Sequence, residues 1–112
     1  MSRPISKRLL TCSATLYTTR VIDEDRNEVW TDPVELENVW ITLSQNEVNG
    51  NVGKEQSDRM TLWFDCVNSE PTPAPVWTMG SLVEFEGMKY HINSITPCYG
   101  SNGLHHWEIG LV

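Results

Sequence analysis

The sequence predicts a mainly β fold, a small single-domain β-barrel of about six strands. Three observations carry that expectation. Short runs rich in Val, Ile, Thr, Leu and aromatic residues recur along the chain, punctuated by Gly, Pro and Asn. No stretch keeps the three-and-four apolar spacing of a packed helix over a dozen residues. A chain of 112 residues fits one domain, and strands this numerous hide their edges best by closing on themselves.

The elements follow in order. Residues 1–8, MSRPISKR, form a basic leader, and the barrel domain is expected over residues 9–112. Residues 9–22 read as a strand, and Asp23–Glu28 as a turn. The next run, VWTDPVELENVWITL, places Pro33 at a strand start or an edge. In it Val34 and Leu36 alternate in one phase, while Val39, Ile41 and Leu43 alternate in the other. A slip of one residue turns side chains to the wrong face unless a bulge absorbs it, so a bulge is expected at Glu37–Asn38.

Residues 44–58, SQNEVNGNVGKEQSD, form a long polar connection. Asn49-Gly50 favours a tight turn between extended strands, giving a two-stranded arm; the alternative is a mobile loop. Either form projects from the body. At 60–66 Met60, Leu62, Phe64 and Cys66 share one face, opposite Thr61, Trp63 and Asp65. Pro71, Pro73 and Pro75 then predict an extended, stiff surface connection. Residues 81–86 and 88–95 read as strands joined near Gly87, with a second bulge at Asn93–Ser94, where Ile95 falls out of phase with Tyr90 and Ile92. Pro97–Gly103 read as a loop, and LHHWEIGLV closes the chain with Trp107, Ile109 and Leu111 alternating with His106, Glu108 and Gly110.

Charge is unevenly spread. Residues 1–20 hold Arg3, Lys7, Arg8 and Arg20 and no acid, so the other four bases and all fifteen acids fall in residues 21–112. An acidic body is a poor phosphate-binding surface; it suits a wall past which DNA slides, or simply confers solubility. No run approaches the roughly 20 apolar residues of a membrane span. The leader lacks the apolar region of a secretory signal, which sets the expectation of a cytoplasmic protein. Cys12, Cys66 and Cys98 are odd in number and lack C-x-x-C spacing, so they read as reduced thiols.

Motifs for chemistry do not emerge. Asp23, Asp25 and Asn27 begin like a calcium loop, but Glu28 replaces the required Gly and Val34 the required Glu. Adjacent strand residues point to opposite faces, which separates His105 from His106. With His91, Cys66 or Cys98 they lack zinc spacing. Cys98 has no local signature of a nucleophile. No catalytic, cofactor or metal residue is therefore assigned, and no enzyme is expected. Trp40 and Trp63 lie opposite the apolar rows of their strands. They mark either an interface or ground covered by a loop or the N-terminal strand. Trp40, Trp63, Trp77, His106 and Trp107 are the candidate interface residues.

The closing run EFEGMKYHINSITPCYGSNGLHHWEIGLV, with VELENVWITL and MTLWFD more loosely, resembles a family of small minor capsid proteins of tailed bacteriophages and prophages. The resemblance spans about residues 30–112. It implies a stopper-type head-completion protein: a β-barrel virion protein forming a ring below the portal and adaptor, assembled in the host cytoplasm. Such a ring retains packaged double-stranded DNA without reading its sequence and offers a docking surface to a tail terminator or tail proteins. It also implies a channel-gating loop in the matching segment, here Gln45, Asn46, Glu47, Val48, Asn49, Gly50, Asn51, Val52, Gly53 and Lys54, although an Asn-Gly arm clamping a neighbour fits as well. The competing readings are another head–tail joining protein such as a tail terminator, a stand-alone β-barrel protein-binding module and, weakest, a small metal-dependent enzyme. No membrane partner and no cofactor are implied.

Overall fold

Apolar alternation on every strand needs one shared interior, and a closed sheet supplies it. The computed structural model describes residues 3–43 and 59–112. Six antiparallel strands, β1 (Cys12–Ile22), β2 (Glu28–Leu43), β3 (Met60–Asp65), β4 (Leu82–Phe85), β5 (Met88–Gly100) and β6 (Gly103–Leu111), close in the order β1-β2-β3-β6-β5-β4. No α-helix occurs among the described residues. Leu16, Leu36, Val39, Leu62, Phe64, Val83, Ile92, Ile109 and Leu111 fill the interior, none more than 2% exposed. Side chains of this size each contribute about 1.5–3 kcal/mol on full burial.

β2 and β5 are the corners of the barrel. The first part of β2 pairs with β1, and Trp40–Leu43 pair with β3. Likewise β5 pairs with β4 over Met88–His91 and with β6 from Ile92 onward. A strand that changes neighbours must bend, and a bulge supplies the bend. Both bulges expected from the apolar phase are present at these corners. Between Leu36 and Val39 β2 spends three steps against two on β1, with Asn38 at φ 57°. Between Ile92 and Ser94 β5 spends two steps against one on β6, which turns Ile92 and Ile95 both inward.

The Glu86-Gly87 turn joins β4 to β5 with φ of 52° and 78°, the left-handed pair that a two-residue hairpin demands. Two expectations need correction, the loop at 97–103 and the surface course of the proline segment. Residues 97–100 are strand, not loop, so the last hairpin turns on Ser101-Asn102 alone between the paired Gly100 and Gly103. Pro33, by contrast, lies on an edge as expected, inside β2 and opposite Tyr17. Its missing N–H is tolerated because no described strand pairs with the other side of Glu28–Leu36. The proline segment is not a surface strut. It bends at 71–73, where the Glu70–Pro71 and Thr72–Pro73 peptides are cis, and packs Ala74 and Trp77 against the core.

Asp65 holds the first residues of the chain to the end of β3. Its carboxylate is fully buried and accepts from the backbone N–H of Ile5 (2.8 Å), Val67 (2.9 Å) and Asn68 (2.7 Å). The Asn68 amide donates to the Ile5 carbonyl at 2.8 Å. Ser69 Oγ accepts from the Asp65 N–H and donates to the Asn38 carbonyl, which ties the same knot to the corner of β2. The leader is thus fastened to the barrel at Ile5.

The expected projection at 44–58, including Gln45–Lys54, lies outside the described residues. Leu43 and Met60, which flank it on the described strands, are cross-strand partners.

Candidate interaction face

The outward positions of β2, β3, β6 and β5 gather a continuous row of side chains. Trp40 and Trp63 are cross-strand partners with ring centroids 5.3 Å apart and planes tilted by 35°. His106 stacks on the other side of Trp63 at 5.4 Å and 26°. The Trp63 indole donates to Thr42 Oγ1 at 3.2 Å, and both tryptophans remain half-buried, with a face toward solvent. Aromatic pairs of this kind are worth about 0.5–1.5 kcal/mol beyond their burial, and large flat side chains with a polar edge suit protein contact.

Three of the five candidate interface residues therefore meet: Trp40, Trp63 and His106. The other two do not join them. Trp107 neighbours His106 in sequence, so on a strand it faces the opposite way, toward Ile95 and Trp77. Trp77 is only 8% exposed and meets Phe64 edge-on at 5.5 Å, which makes it a core plug in place of an interface residue. Its burial follows from the docking of the proline segment.

Sequence reasoning also separated His105 from His106, and the structure overturns this. A register shift between Cys98 and Tyr99 leaves His105 as an extra residue on β6. The bulge swings both rings to one side, with their Nδ1 atoms 2.8 Å apart. His105 Nε2 reaches the Arg3 carbonyl. Beyond His106, Glu108 Oε2 lies 3.0 Å from its Nε2 and 3.3 Å from Cys98 Sγ. The carboxylate stands between thiol and imidazole, so the imidazole does not take the thiol proton directly as a cysteine nucleophile requires.

Burial, then the Glu108 hydrogen bond and charge, push the Cys98 thiol above its usual range; burial and the Asp65 charge do the same to Cys66. The fold thus favours the protonated thiols. That contribution to stability is intact below the ordinary thiol pKa and is lost as pH rises through the raised one. We expect iodoacetamide at neutral pH to label both thiols more slowly in the folded protein than in urea, with the difference shrinking in alkaline buffer. Peptide mass spectrometry reads this directly, and equal neutral-pH rates in both states would contradict it.

A second surface was not anticipated. Beyond Tyr17 β1 leaves β4 and continues with β2 as a two-stranded ribbon, closed by the turn at 23–27. Val21 (45% exposed) and Val29 (40%) are paired across it, and Ile22 is 51% exposed. Arg20 and Glu28 bridge at 2.9 Å beside them. Asp23 Oδ1 accepts from the backbone N–H of Asp25 and Asn27, so this carboxylate shapes the turn. Unbroken β character running up to the turn on both sides, TTRVI and EVWTD, was the available signal.

A half-buried aromatic row and a ribbon tip with exposed apolar residues are thus the two surface features of the closed barrel. The family profile described as minor capsid protein matches residues 7–111. The chain belongs to the minor capsid protein family. No curated protein and no solved structure matches significantly. This minor capsid protein is a phage structural protein and a component of the virion. The family's structural role agrees with a surface organised for association.

Proposed function

We propose that this minor capsid protein is a stopper of the head–tail connector. Copies of it form a ring below the portal and adaptor, hold packaged DNA in the head and present the surface on which the tail docks. The observation that carries the reading is the pairing of Leu43 with Met60, which makes the two residues flanking the mostly polar stretch 44–58 direct neighbours on the barrel. A segment so rooted can reach into a channel while the barrel stays in the ring. Trp40, Trp63 and His106 supply one contact surface, and the paired Val21 and Val29 supply another. A head-to-tail ring needs two different surfaces on each copy. The acidic body repels the phosphates of passing DNA.

The test is to assemble DNA-filled heads with and without the protein and examine them by electron microscopy. Heads lacking it are expected to lose their DNA and to fail to accept tails. Heads that keep DNA and join tails normally would end the proposal. Heads that keep DNA but cannot join tails would assign a tail-joining role of the terminator kind and remove the gating role.

A further inference from the structure

We propose that Cys98, His106 and Glu108 form a binding site for a divalent metal ion of the zinc class on the outer wall of the barrel. The strands build it: Cys98 and His106 are cross-strand partners, and Glu108 follows His106 by two residues on the same face. One sulfur, one imidazole nitrogen and one carboxylate oxygen converge within 4.8 Å of one another, all half-buried.

The hydrogen bonds around the site hold its imidazole in place. The Arg3 carbonyl only accepts, so His105 Nε2 donates to it. The Nδ1 atoms of His105 and His106 lie 2.8 Å apart, within hydrogen-bond distance. That contact leaves His106 Nε2 facing Glu108 Oε2 at 3.0 Å, a gap that a proton or a metal cation can bridge.

The three atoms can take a metal with modest movement. Tetrahedral zinc with bonds of about 2.3 Å to sulfur and about 2.0–2.1 Å to nitrogen and oxygen sets ligand–ligand edges of about 3.3–3.6 Å. The sulfur–oxygen edge is 3.3 Å and the nitrogen–oxygen edge 3.0 Å, so two of the three edges need only small adjustments. The ligand set combines a soft sulfur with an imidazole, which selects zinc or cobalt over magnesium or calcium. His105, held by the Arg3 carbonyl, orients the metal-binding imidazole through its other nitrogen, the arrangement that fixes histidine ligands in metal sites. Trp63 stacks on the ring and limits its rotation. Binding takes the sulfur as thiolate and releases its proton to solvent, together with any proton on Nε2; the carboxylate binds as it is.

The test uses the full chain without a histidine tag, titrated with zinc alone and separately with cobalt(II) alone. One equivalent of zinc is expected to stay with the protein through gel filtration. Cobalt is expected to give the sulfur-to-cobalt charge-transfer absorption of a thiolate ligand. Cys98→Ser should abolish that band and weaken zinc binding at least about tenfold, whereas Cys66→Ser and Cys12→Ser should leave both intact. Circular dichroism confirms that each variant is folded, and Glu108→Gln serves if Cys98→Ser is not. Zinc lost from the folded wild-type protein on gel filtration, with no cobalt–thiolate band, would overturn the site. A band that survives in Cys98→Ser would overturn it equally.

Discussion

Replacing Asp65 by alanine is expected to lower the free energy of unfolding by about 3–5 kcal/mol, the largest effect of any single polar substitution in this fold. The carboxylate is completely buried and accepts three backbone N–H bonds, from Ile5, Val67 and Asn68. Alanine leaves all three part-buried donors without their acceptor, and each donor stranded away from water costs about 1–3 kcal/mol. The damage also spreads. Without its carboxylate anchor the leader loses the Ile5–Asn68 pairing, and the Ser69 link to the corner of β2 loses its frame. Asn in place of Asp keeps one accepting oxygen and should cost distinctly less than Ala. A small domain has only about 5–15 kcal/mol in hand, so Asp65→Ala is expected to bring urea unfolding to a much lower midpoint. A loss below about 1 kcal/mol, the scale of an ordinary surface change, would show that the knot is not what holds the chain's start in place.

Shortening Ser44–Asp58 to a few residues should leave the barrel folded and remove its ability to retain DNA in heads. Leu43 and Met60 are already paired neighbours, so a short turn can join them without moving either strand. Loop-closure entropy even favours the shorter connection, by roughly 1 kcal/mol for a threefold reduction in length. Melting is therefore expected to be unchanged or slightly higher. In the stopper reading the same deletion opens the channel, so heads carrying the shortened protein should leak DNA while the ring still forms. A shortened protein that folds and still retains DNA would move the gating role elsewhere. One that no longer folds would show instead that the segment belongs to the barrel.

The fold was legible wherever it depends on local alternation. Both corner bulges were readable because Val39 and Ile95 fall out of phase with the residues before them, and a barrel wall cannot tolerate that without an extra residue. The outward placement of Trp40 and Trp63 was readable for the same reason. What escaped depends on contacts far apart in sequence. Ile5 and Asp65 meet across 60 positions, and nothing local marks that Asp as an acceptor for the leader. Trp77 follows a proline-rich run that looks solvent-exposed, and only the open end of the barrel gives it a place to go. The bulge at His105 left one faint mark, Leu104 out of phase with Trp107, Ile109 and Leu111, beside the turn where a phase change is easily read as the strand's end. With that bulge unseen, His105 and His106 seemed to face apart, and the convergence of Cys98, His106 and Glu108 was hidden with it.

The fastening of the leader has an electrical consequence. Arg3, Lys7 and Arg8 lie within five residues of the tether at Ile5, and the Arg3 carbonyl is held by His105. Their charge is thereby kept at one side of an otherwise acidic molecule, which acquires a standing dipole moment. A strong polyanion within about 10 Å, the Debye length at 0.1 M salt, exerts a torque on such a body. The molecule would arrive already turned, with its cationic pole leading, before any side chain made contact.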